Sequence, residues 1–150
     1  MTDMAMTPRF GLPLLAVAQA QKEVTHNEAL TLLDALVHAA VEDGPLAEPP
    51  ADPAEGQCWI VGATPQGGWV GRPNAIALWT ENGWRFASAR RGMHITRLGD
   101  GSRLRFDGTT WTAPGSVEPA EGGSTIDSEA RTAIATLILQ LAAQGLLIAG

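Results

Sequence analysis

The side chains best suited to chemistry are few in this chain of 150 residues, and they lie far apart. Its three histidines are His26, His38 and His94. A metal site needs three or four converging ligands. His26 and His38 fall on one predicted helix, too far apart to share an ion, and no cysteine or carboxylate cluster joins either, so no metal site is expected. Asp100 and Asp107 are the one pair that invites comparison with the two carboxylates of a glycoside hydrolase. Each precedes a glycine, in Asp100-Gly101 and Asp107-Gly108, and that is the composition of a tight turn, so both read as turn residues. There is no Gly-x-Ser-x-Gly elbow, phosphate loop, His-Glu-x-x-His or dinucleotide fingerprint. No catalytic residue and no cofactor are expected. Cys58 is the only cysteine, which rules out an internal disulfide, and it reads as a small core residue beside Trp59.

The tryptophans carry more information. The chain has five (Trp59, Trp69, Trp79, Trp84 and Trp111) and no tyrosine. Two readings stand side by side. In one, the indoles staple a thin sheet by cross-strand packing. In the other, Trp69, Trp79 and Trp84, which flank turns, form a platform on which a sugar ring stacks. Arg85, Arg90, Arg91, Arg97, Arg103 and Arg105 make the same half locally basic, which suits an anionic polysaccharide. Solvated strand faces are the plainer account of these arginines.

These residues sit on short runs punctuated by Gly67-Gly68, Asn82-Gly83, Asp100-Gly101 and Asp107-Gly108. The runs Cys58–Val61, Ile76–Trp79, Trp84–Phe86, Met93–Thr96 and Leu104–Phe106 read as strands of a small antiparallel sheet. Asn82-Gly83 is expected to form the tight hairpin turn between two of them. Leu104 and Phe106 alternate with Arg103 and Arg105, which predicts one buried face and one wet face.

Helices are expected on either side. Thr25-His26-Asn27-Glu28 has the form of a capping box, predicting a helix from Thr25 to about Val41, with a start near Ala16 as the alternative. Leu30, Leu33, Val37, Ala40 and Val41 form its apolar stripe, widened by Leu32 and Leu36. Gly44-Pro45 is expected to end it. Before it, the apolar arm Leu12–Val17 is expected to dock on the sheet or on a neighbouring subunit. A second helix, capped by Asp127 or Ser128 and closed by Gly145, carries Ala130, Ile134, Leu137 and Leu141 at spacings of four, three and four. Its polar face is thin, so packing against copies of itself is favoured over packing on the sheet. The expected architecture is α+β. Residues 1–44 form an arm and helix for assembly or anchoring, 45–113 a Trp-rich β domain, and 114–150 a linker and an oligomerisation helix. Leu30, Leu33, Val37, Ile134, Leu137 and Leu141 are the candidate interface.

A net charge of −6 disfavours broad binding to nucleic acid or to an anionic membrane. No apolar run reaches the roughly 18 residues of a membrane span, and no charged n-region leads an apolar stretch. Synthesis in the cytoplasm is expected.

Leu12-Pro13-Leu14-Leu15, the run Ala18-Gln19-Ala20-Gln21-Lys22-Glu23-Val24-Thr25-His26-Asn27-Glu28-Ala29-Leu30, and Leu33-Asp34-Ala35-Leu36 together resemble the start of the DUF2793 domain. The order that follows fits as well: Gly56-Gln57-Cys58-Trp59, Gly68-Trp69, Ile76–Trp79, Gly83–Phe86, Phe106-Asp107-Gly108 and Trp111. The likeness spans about residues 11 to 112. Such domains occur in tail-fibre proteins and in the surface spikes of gene transfer agents. The resemblance therefore implies a part on the surface of a phage-like particle that helps it attach to host envelope or capsule glycans. The implied partners are other structural proteins of the particle. It implies no catalytic or assigned binding residues. A homo-oligomer is expected, with a trimer first and a pentamer second. The alternatives are a carbohydrate-binding module without an assembly role and an enzyme acting on polysaccharide.

Overall fold

The computed structural model describes residues 5–16 and 22–149. Helix α1 spans Lys22–Leu36, so Thr25 lies inside it and the capping box is not used. A capping threonine must stand outside the helix it opens. The start agrees better with the earlier alternative, although residues 17–21 lie outside the described ones. The helix also ends short of Val41. His38 takes a left-handed φ of 47°, and Ala40–Val41 leave as strand β1, held in parallel register on Thr96 and Arg97. Pairing to a distant strand here overrides the helical spacing of the apolar residues.

The α+β architecture is the expected one, and its β region is built as two four-stranded sheets. The first runs β2 (Asp43–Leu46), β3 (Cys58–Val61), β4 (Ile76–Thr80), β5 (Gly83–Ala87). In the second, β1 pairs with β6 (His94–Arg97), followed by β7 (Arg103–Phe106) and β8 (Trp111–Thr112). The consecutive hairpins are antiparallel as expected. Each sheet also gains one parallel edge, from β2 on β3 and β1 on β6. Gly44-Pro45, expected to stop the helix, instead lies within β2. A Cβ on Gly44 would sit 2.6 Å from the Ile60 carbonyl oxygen, so glycine is what lets β2 lie this close to β3.

Between Thr80 and Gly83 the β4–β5 hairpin turns through Glu81 and Asn82. Gly83 alone takes positive φ, at 91°, so the left-handed residue follows the bend. This differs from the Asn-Gly turn expected, in which both residues would be left-handed.

Alternation along the strands fills two cores. Cys58, Ile60, Ile76 and Leu78 of the first sheet meet Val41, Ile95, Leu104, Phe106 and Trp111 of the second, with Ala35 of α1 at the margin. Trp111 donates its indole N–H to the Asn74 carbonyl at 2.9 Å. On the opposite face of the first sheet, Trp59, Val61, Ala75 and Ala77 are covered by Trp69, which arrives on a short 3-10 helix, Gly67–Trp69. A strand covered on both sides reads as a continuous apolar run, which is why β3 is Cys-Trp-Ile-Val. The second sheet has the one wet face expected of it, with Leu104 and Phe106 buried and Arg103 and Arg105 exposed.

Helix α2, Ser128–Ala143, opens on Asp127, whose carboxylate accepts from the Ala130 N–H. It closes at Gly145, at φ 66°, with Gly145 N–H donating to Ala142 and Leu146 N–H to Leu141, the paired bonds of a Schellman end. The Gly145 carbonyl then accepts from the Arg103 N–H at 3.0 Å, and a Cβ at Gly145 would stand 2.3 Å from the Gly101 oxygen. This close approach ties the foot of α2 to β7. Beyond it, the two-residue strands β9 (Ser116–Val117) and β10 (Ile148–Ala149) pair in parallel.

Candidate functional site

Trp84 is the hub of the aromatic cluster. Its ring lies 4.9 Å from Trp79, 5.3 Å from Trp69 and 5.6 Å from Trp59 between centroids, each close to edge-on. This geometry sets a positive ring edge against a negative face. Trp79 and Trp84 meet because they are directly paired across β4 and β5, and Trp59 shares their face of the sheet. Trp69 is 0% exposed, and its buried indole N–H has no hydrogen-bond partner among the described residues. Of the three proposed platform residues, Trp69 is sealed inside the cluster. Trp79 and Trp84 are half-buried and keep the remaining solvent-facing surface.

The candidate interface residues separate by helix. On α1, Leu30 is half-buried while Leu33 is exposed, and Val37, expected on the same stripe, is exposed in the turn just past the helix end. On α2, Ile138 is buried and Arg131, Ala135 and Ala142 are half-buried, a face offset from the predicted stripe. That stripe stays open, with Ile134 at 45% and Leu137 at 58% exposure and Leu141 half-buried. Leu139 is exposed as well, on the opposite side of α2, and Ile126 and Leu146 are exposed beyond its two ends.

The arm docks on α1, where the sheet or a neighbouring subunit was expected, and polar groups hold it. Asp34 is buried on α1. Its carboxylate accepts from the Thr7 hydroxyl at 2.8 Å, the Arg9 N–H at 2.9 Å and the Phe10 N–H at 2.8 Å. The Arg9 guanidinium donates to the carbonyls of Asp34 and Ala35 at the helix end, where such a cation is favoured. One turn-pair earlier, Asn27 exchanges two hydrogen bonds with the backbone of Leu15. The sequence reading assigns Asn27 and Asp34 no role. Their signal was spacing: seven residues apart, they share one helix face. Beside this clasp, the arm, α1 and the β4–β5 tip enclose a groove of about 320 Å³, crossed by an ion pair between Arg85 and Glu28 at 3.1 Å.

Cys58, Asp100 and Asp107 are accounted for structurally. Burial pushes the Cys58 thiol up to about 11, away from reactive thiolate. Asp100 accepts from the Arg97 guanidinium and from Ser102, and these contacts hold its carboxyl well below the usual range. Asp107 is likewise lowered, by the N–H groups of Thr110 and Thr109. Both therefore act as turn residues. Among the described residues no group of three His, Cys, Asp or Glu side chains converges, and no helix is long and apolar enough to cross a membrane.

The profile of the family described as "Protein of unknown function (DUF2793)" matches residues 26–112. That is more than half the chain and takes in most of α1, both four-stranded sheets and all five tryptophans. The protein belongs to this family. No curated protein matches it.

Proposed function

We propose that the protein is a structural component of a phage-like particle or gene transfer agent, a head spike or tail-fibre adaptor. In this role it assembles with copies of itself and with other structural proteins, and it helps attach the particle to host envelope or capsule polysaccharide. The observation that carries the reading is the open stripe of α2. An isolated helix of this length is marginal in water, and contiguous exposed apolar surface marks an interaction site. Ile134 and Leu137 are covered in an assembly and wasted in a monomer. Membership of the family supports the particle setting through the resemblance noted above. A trimer is the favoured assembly and a pentamer the second.

The test is sedimentation with mass determination on the wild type and on Ile134→Asp/Leu137→Asp. Both positions are exposed in the subunit, so the variant retains its circular dichroism and falls to a monomer. A monodisperse wild-type monomer at micromolar concentration refutes the proposal.

The residual exposure of Trp79 and Trp84 favours a second reading, a carbohydrate-binding module without an assembly role. It requires Trp79→Ala to lose glycan binding on an array while the fold persists.

A further inference from the structure

We propose that the solvent face of the second sheet is a binding site for an anionic oligosaccharide, a chain of sugars bearing carboxylates. The proposal deepens the attachment role above and moves it away from the tryptophans, but it does not depend on assembly. Strand register gathers the site. Arg105 on β7 lies directly opposite His94 on β6 and Thr112 on β8, and Arg103 lies opposite Thr96. Paired residues of neighbouring strands share a face, so two arginines, a histidine and two threonines look out together. Arg103 and Arg105 are two positions apart on one strand, about 7 Å along it.

This face is walled on two sides. The foot of α2, through Gly145 and Leu146, closes a hollow of about 390 Å³ over His94, Arg103 and Arg105. Leu36 at the end of α1, with His38 in the turn beyond it, closes a second hollow of about 290 Å³ that shares His94 and Arg103. No aspartate or glutamate lines either hollow. The nearby acid, Asp107, lines neither hollow and turns its carboxylate to the N–H groups of Thr109 and Thr110, while its charge still acts on Arg105. Among the described residues the ion pairs are Arg85–Glu28 and Arg97–Asp100, so Arg103 and Arg105 keep their guanidinium groups available. An acid-free basic hollow concentrates positive potential at one place on a protein whose net charge is −6.

The chemistry favours a sugar acid. A guanidinium fork matches a carboxylate with two parallel hydrogen bonds, and the threonine hydroxyls can accept from sugar hydroxyls between charged units, Thr112 while donating its own hydrogen to the Arg105 carbonyl. Single-stranded nucleic acid would need exposed aromatic rings beside the arginines, and here Phe106 and Trp111 are buried behind the sheet.

Calorimetry of the full chain at low salt tests the proposal, with oligogalacturonate as probe and neutral dextran oligomers, inorganic phosphate and a single-stranded oligonucleotide as comparisons. Oligogalacturonate should bind and weaken with added salt. Arg103→Ala and Arg105→Ala should each lower affinity roughly tenfold, as expected for losing a charge-assisted hydrogen bond. Arg72→Ala, which removes an exposed cation outside both hollows, should leave binding unchanged. The proposal is overturned if oligogalacturonate does not bind, if dextran, phosphate or the oligonucleotide binds as well, or if the double arginine variant binds like wild type. Sedimentation of the same samples reads assembly separately, so a monomer that binds the probe sinks only the assembly reading, and an oligomer that ignores it sinks only this one.

Discussion

Replacing Asp34 by alanine should release the N-terminal arm while leaving both sheets in place. The carboxylate accepts three hydrogen bonds from the segment Thr7–Phe10, all at 2.8–2.9 Å, and it is 1% exposed. Hydrogen bonds to a charged group contribute about 1.5–3 kcal/mol each, so a rigid protein would lose about 5 kcal/mol or more. The arm is not rigid. Once undocked, the N–H groups of Arg9 and Phe10 find water, and the released residues regain part of their backbone entropy. The net loss should therefore be smaller, about 3 kcal/mol, or a fall in Tm of about 6–12 °C for a chain of this size. Asp34→Asn keeps the shape and one acceptor oxygen, and should lose about half as much. Hydrogen exchange locates the effect: the Arg9 and Phe10 amides lose protection in Asp34→Ala, the β3 and β4 amides keep theirs, and trypsin begins to cut after Arg9. Unchanged protection at Phe10 would refute the clasp, as would a Tm shift below about 1 °C.

Two further perturbations separate the aromatic core from the surface and the turn acids from solvent. Trp84→Ala removes the ring that touches Trp59, Trp69 and Trp79 and should cost about 3–5 kcal/mol. Trp79→Ala, at the edge of the cluster, should cost clearly less by denaturant titration, and equal costs would show that Trp84 is not the hub. The carboxyls of Asp100 and Asp107 are depressed in the folded state. Their contribution is therefore fully present above the unfolded value of about 3.9 and is lost as pH falls below it towards the lower folded values. Denaturation midpoints should fall on acidification through this window, and Asp100→Asn should flatten the fall, whereas an identical pH profile in the variant would count against the Arg97–Asp100 contact.

Much of this molecule is decided locally. Strand runs bounded by glycine turns, the Arg-Leu-Arg-Phe alternation of β7, the Asp127 cap and the left-handed Gly145 all follow from side-chain period and backbone sterics, which act over a few residues. The family, too, is written in the order of the motifs. What the linear chain left open depends on distant partners. Ala40 and Val41 have helical spacing from Leu33 and Val37, yet β6 claims them as a strand. Gly44-Pro45 looks like a helix stop until β3 lies against it. Whether an indole is platform or core depends on what covers it, and Trp69 was settled by a loop crossing the sheet. Arg103, Arg105, His94 and Thr112 form one surface only because three strands pair in register. Helical and turn preferences amount to a few tenths of a kcal/mol to about 1 kcal/mol per residue, and the burial and pairing gained by long-range contacts outweigh them wherever the two disagree.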